Sequence, residues 1–173
     1  MRAAAEVSSS PAVVLIDGRS GAGKSTLARM LVDAWPVPER VQVVALDSLY
    51  PGWDGLEAGV ALAWERILVP HAHGAQAEWR SWDWDAGVPG GLQVVDPARP
   101  LIVEGSGLLD ARTAPLGDVR VWLESPTAPR RHRALARDGE TYRPHWDRWA
   151  AQEEAHLARD DPRSLATHIF EIP

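Results

Sequence analysis

Residues Gly18 to Ser25 read GRSGAGKS and follow the apolar run AVVLID at 12–17 without interruption. The spacing G-x-x-x-x-G-K-[ST] directly after a strand-like run is that of a phosphate-cradling loop. Its glycines let backbone N–H groups converge on one concavity at a helix N-terminus, where unpaired donors and the helix dipole favour an anion. Lys24 is then the residue that reaches the β- and γ-phosphates of a nucleoside triphosphate, and the Ser25 hydroxyl is a ligand for Mg²⁺. Gly18, Ser20, Gly21, Ala22, Gly23 and Thr26 complete the set expected around the phosphates. The plainer alternative is a glycine-rich turn without a ligand. The continuation TLARMLVDAW, apolar at helical spacing, favours the phosphate loop.

Further groups with chemistry lie downstream. Asp47 follows VQVVAL at 41–46 and so stands at the carboxyl end of a strand, with Tyr50 close by. Open parallel sheets bind ligands at that edge. A carboxylate there suits hydrogen bonding to, or deprotonation of, a hydroxyl that attacks the γ-phosphate. A turn or cap aspartate is the alternative. Glu104 closes the apolar run LIVEG, the place for a group that orients Mg²⁺ or its water. A purely structural glutamate there would be buried without a partner, at a cost of several kcal/mol. Arg130, Arg133 and Arg137 recur at three- and four-residue spacing and share one helix face. Such a face is either solvated or a lid whose arginines stabilise charge on a transferring phosphoryl group.

The segment EWRSWDWDAG at 78–87 holds Arg80, Asp83 and Asp85 among Trp79, Trp82 and Trp84. Aromatic faces beside carboxylates suit a planar ligand, with Arg80, Trp82 and Asp83 toward it. Packing tryptophans are the alternative. His71 and His73 have no third ligand in view, so no metal site is expected there.

The elements that must position these groups follow from periodicity. Strand-like runs at 12–17, 41–46, 100–105, 119–124 and 167–172 alternate with helical patterns at about 24–35, 56–69, 128–137 and 145–159. The first, third and fourth runs are almost wholly apolar, as in strands buried on both faces of a parallel sheet. An α/β layered domain is expected over 12–173, behind a flexible lead at 1–11. Trp146 and Trp149 share a helical face and are expected to pack the last helix onto the sheet. The least regular stretch is 71–99, the place for a binding loop or lid.

Composition sets limits. The net charge of −6 argues against a surface built to hold nucleic acid. The absence of cysteine excludes disulfides, thiolate metal sites and a cysteine nucleophile. No apolar run reaches the length of a membrane span, and the first residues lack the apolar core of a signal peptide. A cytoplasmic protein is the expectation, its oligomeric state open.

Taken in order, the phosphate loop, DSLY, SWDWD, LIVEG and RHRALARDG resemble the motifs of uridine kinases over about residues 12–140. Phosphoribulokinase and bacterial pantothenate kinase are similar in outline. The resemblance implies a P-loop NTPase three-layer sandwich, a five-stranded parallel sheet of order 2-3-1-4-5 with helices on both faces, and ATP with Mg²⁺ as phosphoryl donor. It implies that Asp47 contacts the acceptor hydroxyl as base, that Asp83 faces the acceptor, and that Glu104 fills the position of the family's LEG glutamate. Arg130, Arg133 and Arg137 would be the lid arginines that contact ATP. The family's His-rich stretch after its YDF-type segment is replaced here by AGVPGG. The expected activity is phosphoryl transfer from ATP to a hydroxyl of a small molecule, a nucleoside first among them. Another hydroxylated metabolite or a nucleotide is the alternative acceptor. A nucleotide-dependent switch is disfavoured, because no NKxD-like guanine motif and no clear water-positioning glutamine are found.

Overall fold

The protein was analysed as a computed structural model that describes residues 11–37 and 41–173. All of the expected N-terminal lead except Pro11 lies outside the described residues. In chain order the elements are β1 (Val13–Gly18), α1 (Lys24–Asp33), β2 (Gln42–Ala45) and α2 (Leu56–Ala63). Helix α2 runs on through a wider turn at Trp64–Leu68 and a last turn at Val69–Ala72. Next come β3 (Ala77–Asp83), β4 (Val88–Val95), β5 (Leu101–Glu104) and β6 (Val119–Glu124). The chain closes with α3 (Thr127–Tyr142), α4 (Trp146–Asp160) and β7 (His168–Glu171).

Five strands form one parallel sheet in the order β2-β5-β1-β6-β7. With β3 and β4 set aside, that is second, third, first, fourth, fifth. Alternation along β1 explains the two layers that cover the sheet. Val13 and Leu15 face a core shared with α2 and with Trp146 and Trp149 of α4. Val14 and Ile16 face the opposite core, with Ala28, Leu27 and Leu31 of α1.

Register gathers the functional side chains. Glu104 lies opposite Ile16 on one side and Ala45 on the other. The phosphate loop leaves β1 two residues beyond Ile16, and Asp47 stands two residues beyond Ala45. Loop, Asp47 and Glu104 therefore meet at one carboxyl edge of the sheet, where such sheets bind ligands.

The stretch 71–99, expected to be irregular, instead contains the antiparallel hairpin β3–β4. Asp83 accepts hydrogen bonds from the N–H groups of Asp85 and Ala86 to close its turn. The hairpin was hidden because β4 is exposed along nearly its whole length and the alternation that starts β3 breaks after Ser81. Pro89 and Gly90 also interrupt β4, and the register shifts between Arg80 and Trp82. Helix α3 outruns its expected end. The chain passes Gly139 in a non-helical conformation (φ 57°, ψ −132°) and resumes helix to Tyr142.

Candidate active site

The loop between β1 and α1 is held open by backbone shape and by braces on its outer side. Gly23 caps α1 at φ 101° and Gly21 turns at φ 78°, both in the left-handed region that favours glycine. A Cβ on Gly21 would strike the Arg130 carbonyl, so the loop lies hard against α3. Arg130 donates to the Ser20 and Ser125 carbonyls at 2.9 and 3.0 Å, and Arg133 donates to the Gly21 carbonyl at 2.8 Å. These bonds satisfy carbonyls that would otherwise face inward unpaired.

Lys24 folds back over the loop. Its Nζ donates to the carbonyls of Gly18 (2.7 Å) and Arg19 (3.2 Å) and to Ser106 Oγ (3.1 Å). Ser25 Oγ donates to Glu104 Oε1 at 2.7 Å. Burial pushes the Glu104 carboxyl above its usual range, opposed by the nearby Lys24 ammonium and the Ser25 hydroxyl. A cavity of about 220 Å³ opens here, lined by Ser20, Gly21, Gly23, Lys24, Ser25, Thr26, Asp47, Glu104 and Arg133 among others.

A second cavity, about 610 Å³, shares Ser20, Ser25, Asp47 and Arg137 with the first. Its far wall is aromatic: Tyr50, Trp53, Trp84, Tyr142 and Trp149. Trp53 is the hub, with ring centroids 4.8 Å from Trp84, 5.2 Å from Tyr142 and 6.4 Å from Trp149. The Trp84 indole N–H donates to the Asp47 carbonyl at 2.7 Å and so ties the hairpin to the carboxyl edge. Tyr50 hydroxyl donates to the Ser106 carbonyl at 2.8 Å. Burial first, then the carboxylates around it, push the Tyr50 phenol well above its ordinary value, which keeps it a donor.

The structure brings together most of the residues singled out by sequence. Lys24, Ser25, Glu104, Asp47, Thr26 and Arg137 all line the phosphate cavity. Asp47 is exposed at the junction, and no hydrogen bond to its carboxylate is found among the described residues. Arg137 also borders both cavities, its guanidinium resting on Asp138 at 2.8 and 2.7 Å.

Other expectations need correction. Arg130 was expected to contact ATP, but it is 1% exposed and spends its donors on the Ser20 and Ser125 carbonyls, behind the loop. Ala22 is buried in the α1-side core, with its N–H turned to the Arg19 carbonyl. Gly18 is absent from the cavity lining and packs against Leu123. Arg80 donates to the Gly90 carbonyl across the hairpin, and Asp83 caps its turn. Trp82 sits beside Gly52 outside the aromatic cavity. Of the SWDWD segment, Trp84 alone lines the cavity.

Several residues of the site were not picked out by sequence. Trp53 and Tyr142 sit in isolated contexts that carry no signal. Asp17, wholly buried, accepts hydrogen bonds from Gly107 N–H (2.9 Å) and Leu109 N–H (2.8 Å) and meets His156 Nε2 at 3.3 Å. Ser106 and Glu153 are buried beside the loop. A signal did exist for two of them. Trp146, Trp149, Glu153 and His156 follow one another at steps of three and four, so a glutamate and a histidine fall on the buried face of α4.

No protein-family model matches this chain, and no curated protein matches its sequence. Its shape does have solved counterparts. A possible uridine kinase from Bacillus stearothermophilus superposes with a TM-score of 0.72 over 96% of this chain and 91% of its own, at 19% identity. A candidate fructose transport system kinase from Silicibacter sp. TM1040 gives 0.58 over 95% and 92%, at 22% identity. At such identities the likeness is one of fold alone, the α/β fold with a five-stranded parallel sheet described above.

Proposed function

We propose that the protein transfers the γ-phosphoryl group of ATP to a hydroxyl of a small molecule, with a nucleoside as the first candidate acceptor. One observation carries the reading. The phosphate-loop cavity opens into a second, aromatic-walled cavity, and Asp47 is the carboxylate that borders both. A loop that only bound or hydrolysed a nucleotide would have no use for a second ligand-sized chamber at the γ-phosphate end.

Within this reading Lys24 exchanges the loop carbonyls for phosphate oxygens and neutralises their charge. Asp47 orients the acceptor hydroxyl and takes its proton as the bond to phosphorus forms. Arg137 leaves Asp138 to meet charge on the transferring group, while Arg133 steadies the loop. The aromatic wall holds a planar acceptor and excludes water.

Among the described residues no cluster of three or more His, Asp or Glu could by itself hold an ion. The Ser25 hydroxyl and Glu104 carboxylate, 2.7 Å apart, do fit Mg²⁺, which is commonly held by few protein oxygens together with substrate phosphates. Those two residues would hold it, and it would supply charge neutralisation on the phosphate oxygens.

The test is ADP release from ATP and Mg²⁺ with a panel of nucleosides, sugars and vitamins, against a control without acceptor. Acceptor-dependent release with formation of a phosphate ester is expected for a nucleoside. Hydrolysis that no panel member stimulates would overturn the kinase reading, and stimulation by sugars or vitamins alone would move the acceptor class.

A further inference from the structure

Behind the phosphate loop, on the side away from its cavity, lies a buried carboxylate with no part in the chemistry above. Glu153 of α4 is 2% exposed. Its Oε1 accepts the backbone N–H of Ser20 at 2.6 Å and the hydroxyl of Ser106 at 3.1 Å. Its Oε2 accepts Arg19 Nε at 3.1 Å. Ser20 and Arg19 are loop residues, so a helix more than a hundred residues away in sequence grips the loop at two adjacent positions.

The connection reaches further through Ser106. A hydroxyl has one proton to give. Ser106 Oγ lies 3.1 Å from Glu153 and 3.2 Å from the Gly18 carbonyl, and it accepts a hydrogen bond from Lys24 Nζ at 3.1 Å. When that proton goes to Glu153, the negative charge polarises the hydroxyl and makes it a better acceptor for the lysine. The ammonium has three donors, and all three are taken, by Gly18, Arg19 and Ser106. Glu153 lines a different space from the phosphate cavity, whereas Ser106 lines both.

We propose that Glu153 is a positioning residue for the phosphate loop: it fixes Ser20 directly and Lys24 through Ser106, so the loop is preformed before nucleotide arrives. With the Ser20 N–H turned back toward α4 and the Ala22 N–H on the Arg19 carbonyl, the N–H groups of Gly21, Gly23, Lys24 and Ser25 are left to face the phosphates. The cost of ordering the loop is then met in folding rather than in binding. The proposal rests on the phosphate-loop reading of Gly18–Ser25, and its test separates the two.

Binding of a fluorescent ATP analogue with Mg²⁺ is titrated into wild type, Glu153→Ala, Glu153→Gln, Ser106→Ala and Lys24→Ala, each checked for folding by circular dichroism. Steady-state constants for ATP and acceptor are then compared. Loss of preorganisation should weaken nucleotide binding of Glu153→Ala by about tenfold and raise the ATP KM alike, with the acceptor KM unmoved. Glu153→Gln should fall between, because its amide oxygen can still accept both Oε1 hydrogen bonds while its NH2 group offers Arg19 no acceptor. Ser106→Ala should weaken binding less than Glu153→Ala, and the double variant should lose less than the two losses combined. Where Glu153→Ala does not fold, Glu153→Gln decides. Nucleotide binding at wild-type strength in the folded Glu153 variants, or an equal rise in both KM values, overturns the positioning role. Wild-type binding by folded Lys24→Ala overturns instead the loop reading beneath it.

Discussion

At the scale of single residues, two carboxylates near each other are given different work by their surroundings. Asp47 is exposed at the junction of the two cavities, whereas Glu104 is buried against Ser25 and Lys24. Asp47→Asn should keep nucleotide binding and lower kcat by about 10²–10⁴-fold, as loss of a general base does, measured with the best acceptor of the panel. Burial holds the Glu104 carboxyl above its usual range, so on the proposed reading its proton competes with Mg²⁺. A carboxyl held above its usual range gives up its proton later as pH climbs, so Mg²⁺ binding and kcat should rise together over a window above the ordinary carboxylate range. A Mg²⁺ titration at several pH values checks this, and Glu104→Gln should abolish the pH dependence along with most of the activity. Both residues were legible in the sequence because each ends an apolar run, and a strand end is a definite place. What could not be read was which basic residues face the ligand. Arg130, Arg133 and Arg137 share a helix face, yet the helix crossing behind the loop commits Arg130 to carbonyls, leaves Arg133 between the Gly21 carbonyl and the loop cavity, and brings only Arg137 to the edge of both cavities.

At the scale of elements, α4 is tied to the phosphate loop by charge as well as by packing. His156 is 3% exposed between Asp160 (Nδ1, 2.8 Å) and Asp17 (Nε2, 3.3 Å). Burial alone would push its value down, but the hydrogen bonds and charges of Asp17 and Asp160 outweigh burial and raise it above 6.5. The folded value exceeds the unfolded one, so the stabilisation is complete below about pH 6.5 and is lost as pH rises through the raised folded value. Urea unfolding of wild type and His156→Gln across pH should show a gap that is widest in acid and narrows above neutrality. Helix α3 offers a test of backbone alone. Gly139 has open space where a Cβ would go, yet its φ of 57° with ψ of −132° is closed to side-chain-bearing residues. Gly139→Ala should therefore cost about 1–3 kcal/mol through the backbone, read from denaturant midpoints. The periodicity of α3 up to Arg137 was plain from sequence. Its continuation past Gly139 was not, because a glycine normally ends a helix and here only kinks it. The hairpin β3–β4 escaped for the opposite reason, since β4, exposed along nearly its whole length, has no side to mark.

At the scale of the whole molecule, the aromatic chamber makes ligand entry visible. Trp53 and Trp84 line the aromatic cavity, the acceptor chamber of the proposed reading, and lie 4.8 Å apart, ring centroid to ring centroid. Acceptor binding should change tryptophan emission, and Trp53→Phe with Trp84→Phe should reduce that change to the share of Trp149 while leaving the response of a fluorescent ATP analogue intact. The chamber's walls do not all have the same standing. Helix α3 carries Arg130 and Arg133 against the phosphate loop and Tyr142 in the acceptor wall, and α4 pairs Glu153 with Trp149 in the same way. Trp84 comes instead from the exposed hairpin, whose residues make no hydrogen bond to the loop. Changes to Tyr142 or Trp149 thus burden helices that also brace the loop, whereas Trp84 meets the carboxyl edge only through its hydrogen bond to the Asp47 carbonyl. On the kinase reading, the hairpin is a wall of the chamber whose element does not also brace the loop, so a change of acceptor is best sought there, at side chains other than the indole that holds Asp47.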